Sequence, residues 1–153
     1  MFNLENGDIL LCDYSLSING NTSKKVFIDT FAETIVYKYT VNEKYTHCYC
    51  WFELEKGNYI YSAVSFCDER LYIVELLPQH QSAKKETSQP YTKEIDEAQR
   101  LAFEWYSKHF SQNELLYTWG KIKYCKGADP IYSPPSVIIK YDNIASDNSA
   151  YKL

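Results

Sequence analysis

The chain has 153 residues, 45% hydrophobic and 24% charged, with only five glycines and five prolines. That is the length of one domain with enough apolar content for its own core, and it excludes a disordered, collagenous or low-complexity protein. The net charge of −4 is uneven: residues 1–80 hold 11 acidic and 6 basic side chains, residues 81–153 hold 9 and 10. An acidic front half has the wrong sign for a nucleic-acid partner, whose phosphates demand Lys and Arg.

Asp8 to Ile18 reads as a first strand closed by the turn Asn19-Gly20-Asn21. Lys24 to Thr40 fits two periods. Val26, Ile28 and Thr30 alternate as in a strand, while Phe27, Phe31, Thr34 and Ile35 also fit a helical stripe. Its β-branched and aromatic content predicts two strands or one long bent strand.

Tyr45 to Glu55 carries the clearest pattern. Cys48, Cys50, Phe52 and Leu54 fall on one face, and His47, Tyr49, Trp51 and Glu53 on the other. A turn at Glu55-Lys56-Gly57-Asn58 leads to Tyr59–Cys67, and another at Cys67-Asp68-Glu69-Arg70 leads to Leu71–Leu77. Three strands joined by such short turns predict an antiparallel meander.

The polar stretch 79–92, ending near Pro90, is predicted as a surface loop. Beyond it, Lys93–Phe110 reads as an amphipathic helix with Thr92 as N-cap. Its buried stripe is Ile95, Ala98, Leu101, Ala102 and Trp105, with acidic residues in the first turns and Lys108 and His109 in the last. Leu115–Tyr124 returns to strand pattern, and Gly120 within it signals a bulge or a close backbone approach. Asp129-Pro130 and Pro134-Pro135 mark an irregular loop, Val137–Tyr141 a short buried strand, and residues 143–153 a frayed polar tail.

The expected fold is therefore a single α+β domain, 1–153. A mainly antiparallel sheet, arranged as a meander, carries one helix at about 93–110 on its apolar face, and leaves the partly tyrosine face for water or a partner.

The chemistry-bearing residues do not assemble into a catalytic motif. There is no nucleophile elbow, no phosphate-cradling glycine loop and no His-Glu-x-x-His. Cys48 and Cys50, one residue apart on the core face, read as buried thiols rather than zinc ligands, so no metal or other cofactor is expected. Five cysteines, an odd number, argue for reduced thiols. The first residues have neither a basic nor an apolar leader segment, and no apolar run reaches the ~18 residues of a spanning helix. The expectation is a non-enzymatic, cytoplasmic protein without a membrane partner, monomeric or a homodimer.

The positive signal is aromatic. Fifteen tyrosines include Tyr45, Tyr49, Tyr59, Tyr61 and Tyr72 in the meander, with Trp51 among them. Tyr and Trp supply large, rigid contact area with a polar tip. The predicted partner-binding residues are Tyr49, Trp51, Glu53, Glu55, Tyr59, Tyr61, Asp68 and Glu69. Trp119-Gly120 with the loop from Asp129 to Pro135 is a second candidate surface, or else a structural corner.

The stretches Ala98–Tyr106, Leu116–Ile122 and Asp129–Tyr132, in a small acidic aromatic-rich chain, resemble the immunity proteins of bacterial polymorphic-toxin and contact-dependent growth inhibition systems. The resemblance lies in composition and architecture. It implies a non-enzymatic inhibitor that binds a cognate toxin domain, often a nuclease, and blocks its active site. An acidic, tyrosine-rich surface complements a basic active site. The alternative is a small-molecule or peptide binding module with an aromatic pocket between sheet and helix.

Overall fold

The alternation from Tyr45 onward builds what it predicts. A computed structural model describes residues 2–12, 17–82, 93–111 and 114–142. Strand β5 (Tyr45–Glu55) pairs with β6 (Asn58–Cys67) from Tyr45↔Cys67 to Glu55↔Asn58, and β6 pairs with β7 (Arg70–Ser82). The two-residue turns are Lys56-Gly57 and Asp68-Glu69, with left-handed backbone at Gly57 and Asp68. Upstream, β4 (Ile35–Val41) pairs with β5 and forms one edge of the sheet.

Strands β8 (Glu114–Tyr117), β9 (Gly120–Cys125) and β10 (Ser136–Tyr141) complete a seven-stranded antiparallel sheet in the order β4-β5-β6-β7-β10-β9-β8. The last strand thus lies inside the sheet, between β7 and β9. Three short strands, β1 (Phe2–Asn3), β2 (Asp8–Leu10) and β3 (Ser17–Ile18), make a separate small sheet.

One face of the large sheet is the core. Cys48, Cys50, Phe52, Val64, Phe66, Val74, Leu76, Val137 and Ile139 lie buried there, together with Ile9 and Ile18 of the small sheet. Helix α2 (Ile95–His109) crosses this face against β7 and β10 and buries Ala98, Ala102 and Tyr106. Two alanines one turn apart bring its backbone close to the sheet. Leu101 and Trp105, expected on the buried stripe, are half-buried at its flank. Tyr106 and Tyr124 close the core at the helix, with ring centroids 5.6 Å apart and the Tyr124 hydroxyl donating to the Gln99 carbonyl at 3.3 Å. Burial pushes the Cys48 thiol up to about 11 and Cys50 well above its usual range, so both behave as apolar fillers.

Several expectations are corrected. A second helix, α1 (Lys24–Thr30), stands where strand was expected. Ser23 accepts the Val26 N–H at 3.2 Å as N-cap, and Phe27 and Phe31, one turn apart, bury together against Phe52 and Phe66. Capping and aromatic burial outweigh the local β propensity of Val26 and Ile28. The expected strand Asp8–Ile18 is a hairpin of β2 and β3, with Ile9 opposite Ile18.

Leu115–Tyr124 is likewise a hairpin, turning at Thr118-Trp119. At Gly120, with φ +153°, a Cβ would overlap the Lys140 carbonyl, which is the close backbone approach that the glycine signalled. Strand β7 runs on to Ser82, so residues 79–82 of the expected loop 79–92 are strand; the rest of that segment, with the proposed cap Thr92, and the tail 143–153 lie outside the described residues. The helix starts at Ile95 with Glu94 as N-cap.

Candidate functional site

The sheet face opposite α2 is built in cross-strand rows. One row reads Tyr37, Tyr49, Ala63, Glu75, Ile138 and Lys123 from β4 across to β9. A neighbouring row places Trp51, Tyr61 and Leu77 side by side. Ala63 is the small member at the centre, and its missing volume leaves a depression between the tyrosines and β10.

A bulge deepens this depression. Tyr61 pairs with Leu77 but Ile60 pairs with Gln81, so Pro78, Gln79 and His80 form an excursion of β7 with no ladder partners. Pro78 has no N–H to offer a ladder, and bulges of this kind re-aim side chains. His80 comes to lie against Tyr61, with ring centroids 6.0 Å apart and planes 30° apart. Gln79 Nε2 donates to the Pro130 carbonyl at 3.2 Å and so ties the bulge to the loop 126–135. That loop is fixed internally. The Asp129 carboxylate accepts the N–H groups of Ile131 and Tyr132 at 2.8 Å each, which holds it below its ordinary value, and the Ala128 N–H donates to the Ser133 carbonyl at 2.9 Å.

Between sheet and loop lies an open groove of about 810 Å³. Its sheet side carries Tyr37, Tyr39, Tyr49, Tyr61 and His80; its loop side carries Gly127, Ile131, Tyr132 and Pro134. Tyr39, Tyr49, Tyr61 and His80 form a ladder of nearly parallel rings, at successive centroid distances of 6.3, 6.1 and 6.0 Å. Tyr37 (59% exposed), Ile131 (54%) and Tyr132 (90%) stand at the rim, a concentration of exposed large apolar side chains beside one cavity.

Glu75, half-buried on the floor, is the only carboxylate lining the groove among the described residues. Burial holds its carboxyl above the ordinary range, and a hydrogen bond from the Ser136 hydroxyl pulls the other way. Burial, a hydrogen bond with Tyr39 and the nearby Glu75 all raise Tyr49. Cys125 is raised by burial first and by Glu75 in addition, so its thiol stays protonated at neutral pH.

The predicted partner-binding residues are dispersed. Tyr49 and Tyr61 line the groove. Trp51 is 2% exposed and meets Tyr61 edge-on at 5.2 Å, beneath the surface. Glu53 is buried and accepts the Gly57 N–H at 2.7 Å, stabilising the β5–β6 turn. A register shift after Glu53 separates it from Glu55, which lies 3.7 Å from Lys108 of α2 in a small cleft of about 250 Å³ that also takes in Tyr59. Asp68 and Glu69 sit at the other end of the meander, and Glu69 pairs with Lys24 at 3.2 Å. The eight residues therefore do not make one acidic surface. Trp119 packs against Tyr117 and donates to the Leu4 carbonyl at 2.9 Å, a structural corner away from the 126–135 loop.

Sequence reasoning missed Tyr37, Tyr39, Glu75 and His80. Tyr37 and Tyr39 lay in the ambiguous segment, although Val36-Tyr37-Lys38-Tyr39 alternates. Glu75 carried a signal too, as one carboxylate on a strand face between Ile73 and Leu77.

Among the described residues no three His, Cys, Asp or Glu side chains converge as a metal site, and no helix is long and apolar enough to cross a membrane. Comparison with protein-family models, curated proteins and solved structures gives no match.

Proposed function

We propose that this chain is a non-enzymatic binding protein that captures a protein partner across the tyrosine groove, and that the partner is a toxin domain it neutralises, as the resemblance to immunity proteins implies. The observation that carries the reading is the convergence of Tyr37, Tyr39, Ile131 and Tyr132 on the rim of one groove floored by packed rings. Exposed aromatics around a concave, preformed floor have the composition of an interface hot spot. The floor is rigid because Tyr49 and Tyr61 stand on central strands. The loop is rigid because Asp129 and Gln79 hold it, so little ordering cost accompanies binding.

A toxin domain encoded by a neighbouring gene is the partner to seek and test. Isothermal titration is expected to give a 1:1 complex, and Tyr37→Ala and Tyr132→Ala are each expected to weaken it by about 2 kcal/mol, roughly 30-fold. Unchanged affinity in both variants, or no complex with the wild type, would refute the reading.

A further inference from the structure

The groove combines two features that sit uneasily without a third party. Its walls are aromatic and aliphatic, and its floor holds one carboxylate. Among the described residues, Glu75 has a hydrogen bond from Ser136 and no Lys or Arg in ion-pair contact. Lys123 stands in the same cross-strand row but beyond Ile138. Elsewhere the chain pairs its carboxylates readily, as Glu97 and Glu104 do with Arg100 and Glu69 with Lys24. A half-buried carboxylate that lacks a cation retains part of its desolvation cost, and a ligand that brings the cation recovers it.

We propose that the groove receives a basic side chain of the bound partner protein, with its ammonium or guanidinium group seated on Glu75 among Tyr49, Tyr61 and His80. Charge complementarity selects the class. A carboxylate among aromatic rings favours an organic cation, which gains from ring and carboxylate together. An anionic or neutral group would leave Glu75 unpaired. The volume of the groove, about 810 Å³, takes in the chain segment that carries the side chain as well. The source is a protein, because the exposed rim of Tyr37, Ile131 and Tyr132 extends the contact beyond the cation. This assignment rests on the protein-binding reading above and gives it a chemical specificity.

The test uses two pairs of small probes, acetyl-arginine methylamide against its citrulline counterpart, and acetyl-lysine methylamide against its side-chain-acetylated form. Each is titrated into the full chain and followed by NMR shifts of groove residues. A cationic probe is expected to bind at least ~10-fold more tightly than its neutral partner. Glu75→Gln, which keeps size and can still accept from Ser136, is expected to abolish that preference while leaving the spectrum of the core unchanged. No binding by any probe, equal binding of charged and neutral probes, or an undiminished preference in Glu75→Gln overturns the proposal. The toxin complex separates the two readings. If Tyr132→Ala weakens it and Glu75→Gln does not, the groove docks a protein without a buried cation. If the cationic probes bind through Glu75 but no toxin does, the cation site stands and the toxin reading falls.

Discussion

Glu75 shows how one residue records a compromise. An apolar side chain at its place, level with Ala63 and Ile138, would fill the depression and pack against the tyrosines. The carboxylate instead sits with its pKa raised by burial, which means that the folded chain prefers it protonated more than the unfolded chain does. The stabilising contribution of the protonated form is complete below the unfolded value, near pH ~4, and is lost as pH rises through the folded value. Glu75→Gln is therefore expected to be more stable than wild type at pH 7, by on the order of 1 kcal/mol or about 2–4 °C in Tm. The two should converge at about pH 3, roughly a unit below the unfolded value, where the wild-type carboxyl is protonated in both states. Tyr49 and Cys125, both raised, stay neutral through this window. Thermal melts at both pH values check the sign; a variant less stable at pH 7 would mean that Glu75 supports the fold rather than a ligand.

At the scale of elements, legibility followed from whether a segment's local pattern and its tertiary role agree. Strands β5 and β6 alternate cleanly because their two faces differ in chemistry, apolar and cysteine on the core side, aromatic and polar on the other. That contrast survived although β6 is buried on both faces. Helix α1 was misread because seven residues with Val26, Ile28 and Thr30 carry little helical propensity. Its formation depends on the Ser23 cap and on burying Phe27 and Phe31, a helical stripe visible in the sequence but outweighed there by the β-branched content around it. The β8–β9 hairpin was hidden because Gly120 was read within a strand rather than just after a turn. Gly120→Ala tests that geometry. A Cβ there must displace the Lys140 backbone on the central strand β10. A loss of about 2–3 kcal/mol is expected, read as a fall of roughly 5–10 °C in Tm, with β10 amides losing exchange protection first. Half of the groove was equally out of reach. The bulge at Pro78–His80 turns an apparent loop residue, His80, into part of the wall, and a register shift of that kind follows from pairing rather than from sequence pattern.

For the whole molecule, the sheet divides labour between its faces. Two helices and the small N-terminal sheet bury one side, and the other is left as a groove with an aromatic floor. This arrangement changes what the net charge of −4 means for binding. The expected acidic docking surface would make association strongly salt-dependent, since exposed charges are screened within a Debye length of ~8 Å at physiological ionic strength. The carboxylates are instead divided: Glu53 is inside a turn, Glu55 faces Lys108, and Asp68 and Glu69 crown the far end. What remains at the groove is one shielded carboxylate surrounded by apolar contact. Partner affinity is accordingly expected to change by less than about tenfold between ~50 and ~500 mM salt, because buried pairs are screened far less than exposed ones and hydrophobic contact is not weakened by salt. The association rate should carry most of whatever decline occurs, and the dissociation rate should respond to Tyr132→Ala rather than to ionic strength. Stopped-flow and titration across that range distinguish the two pictures. A fall in affinity of a hundredfold or more would place the contact on the exposed acidic ends of the meander instead of in the groove.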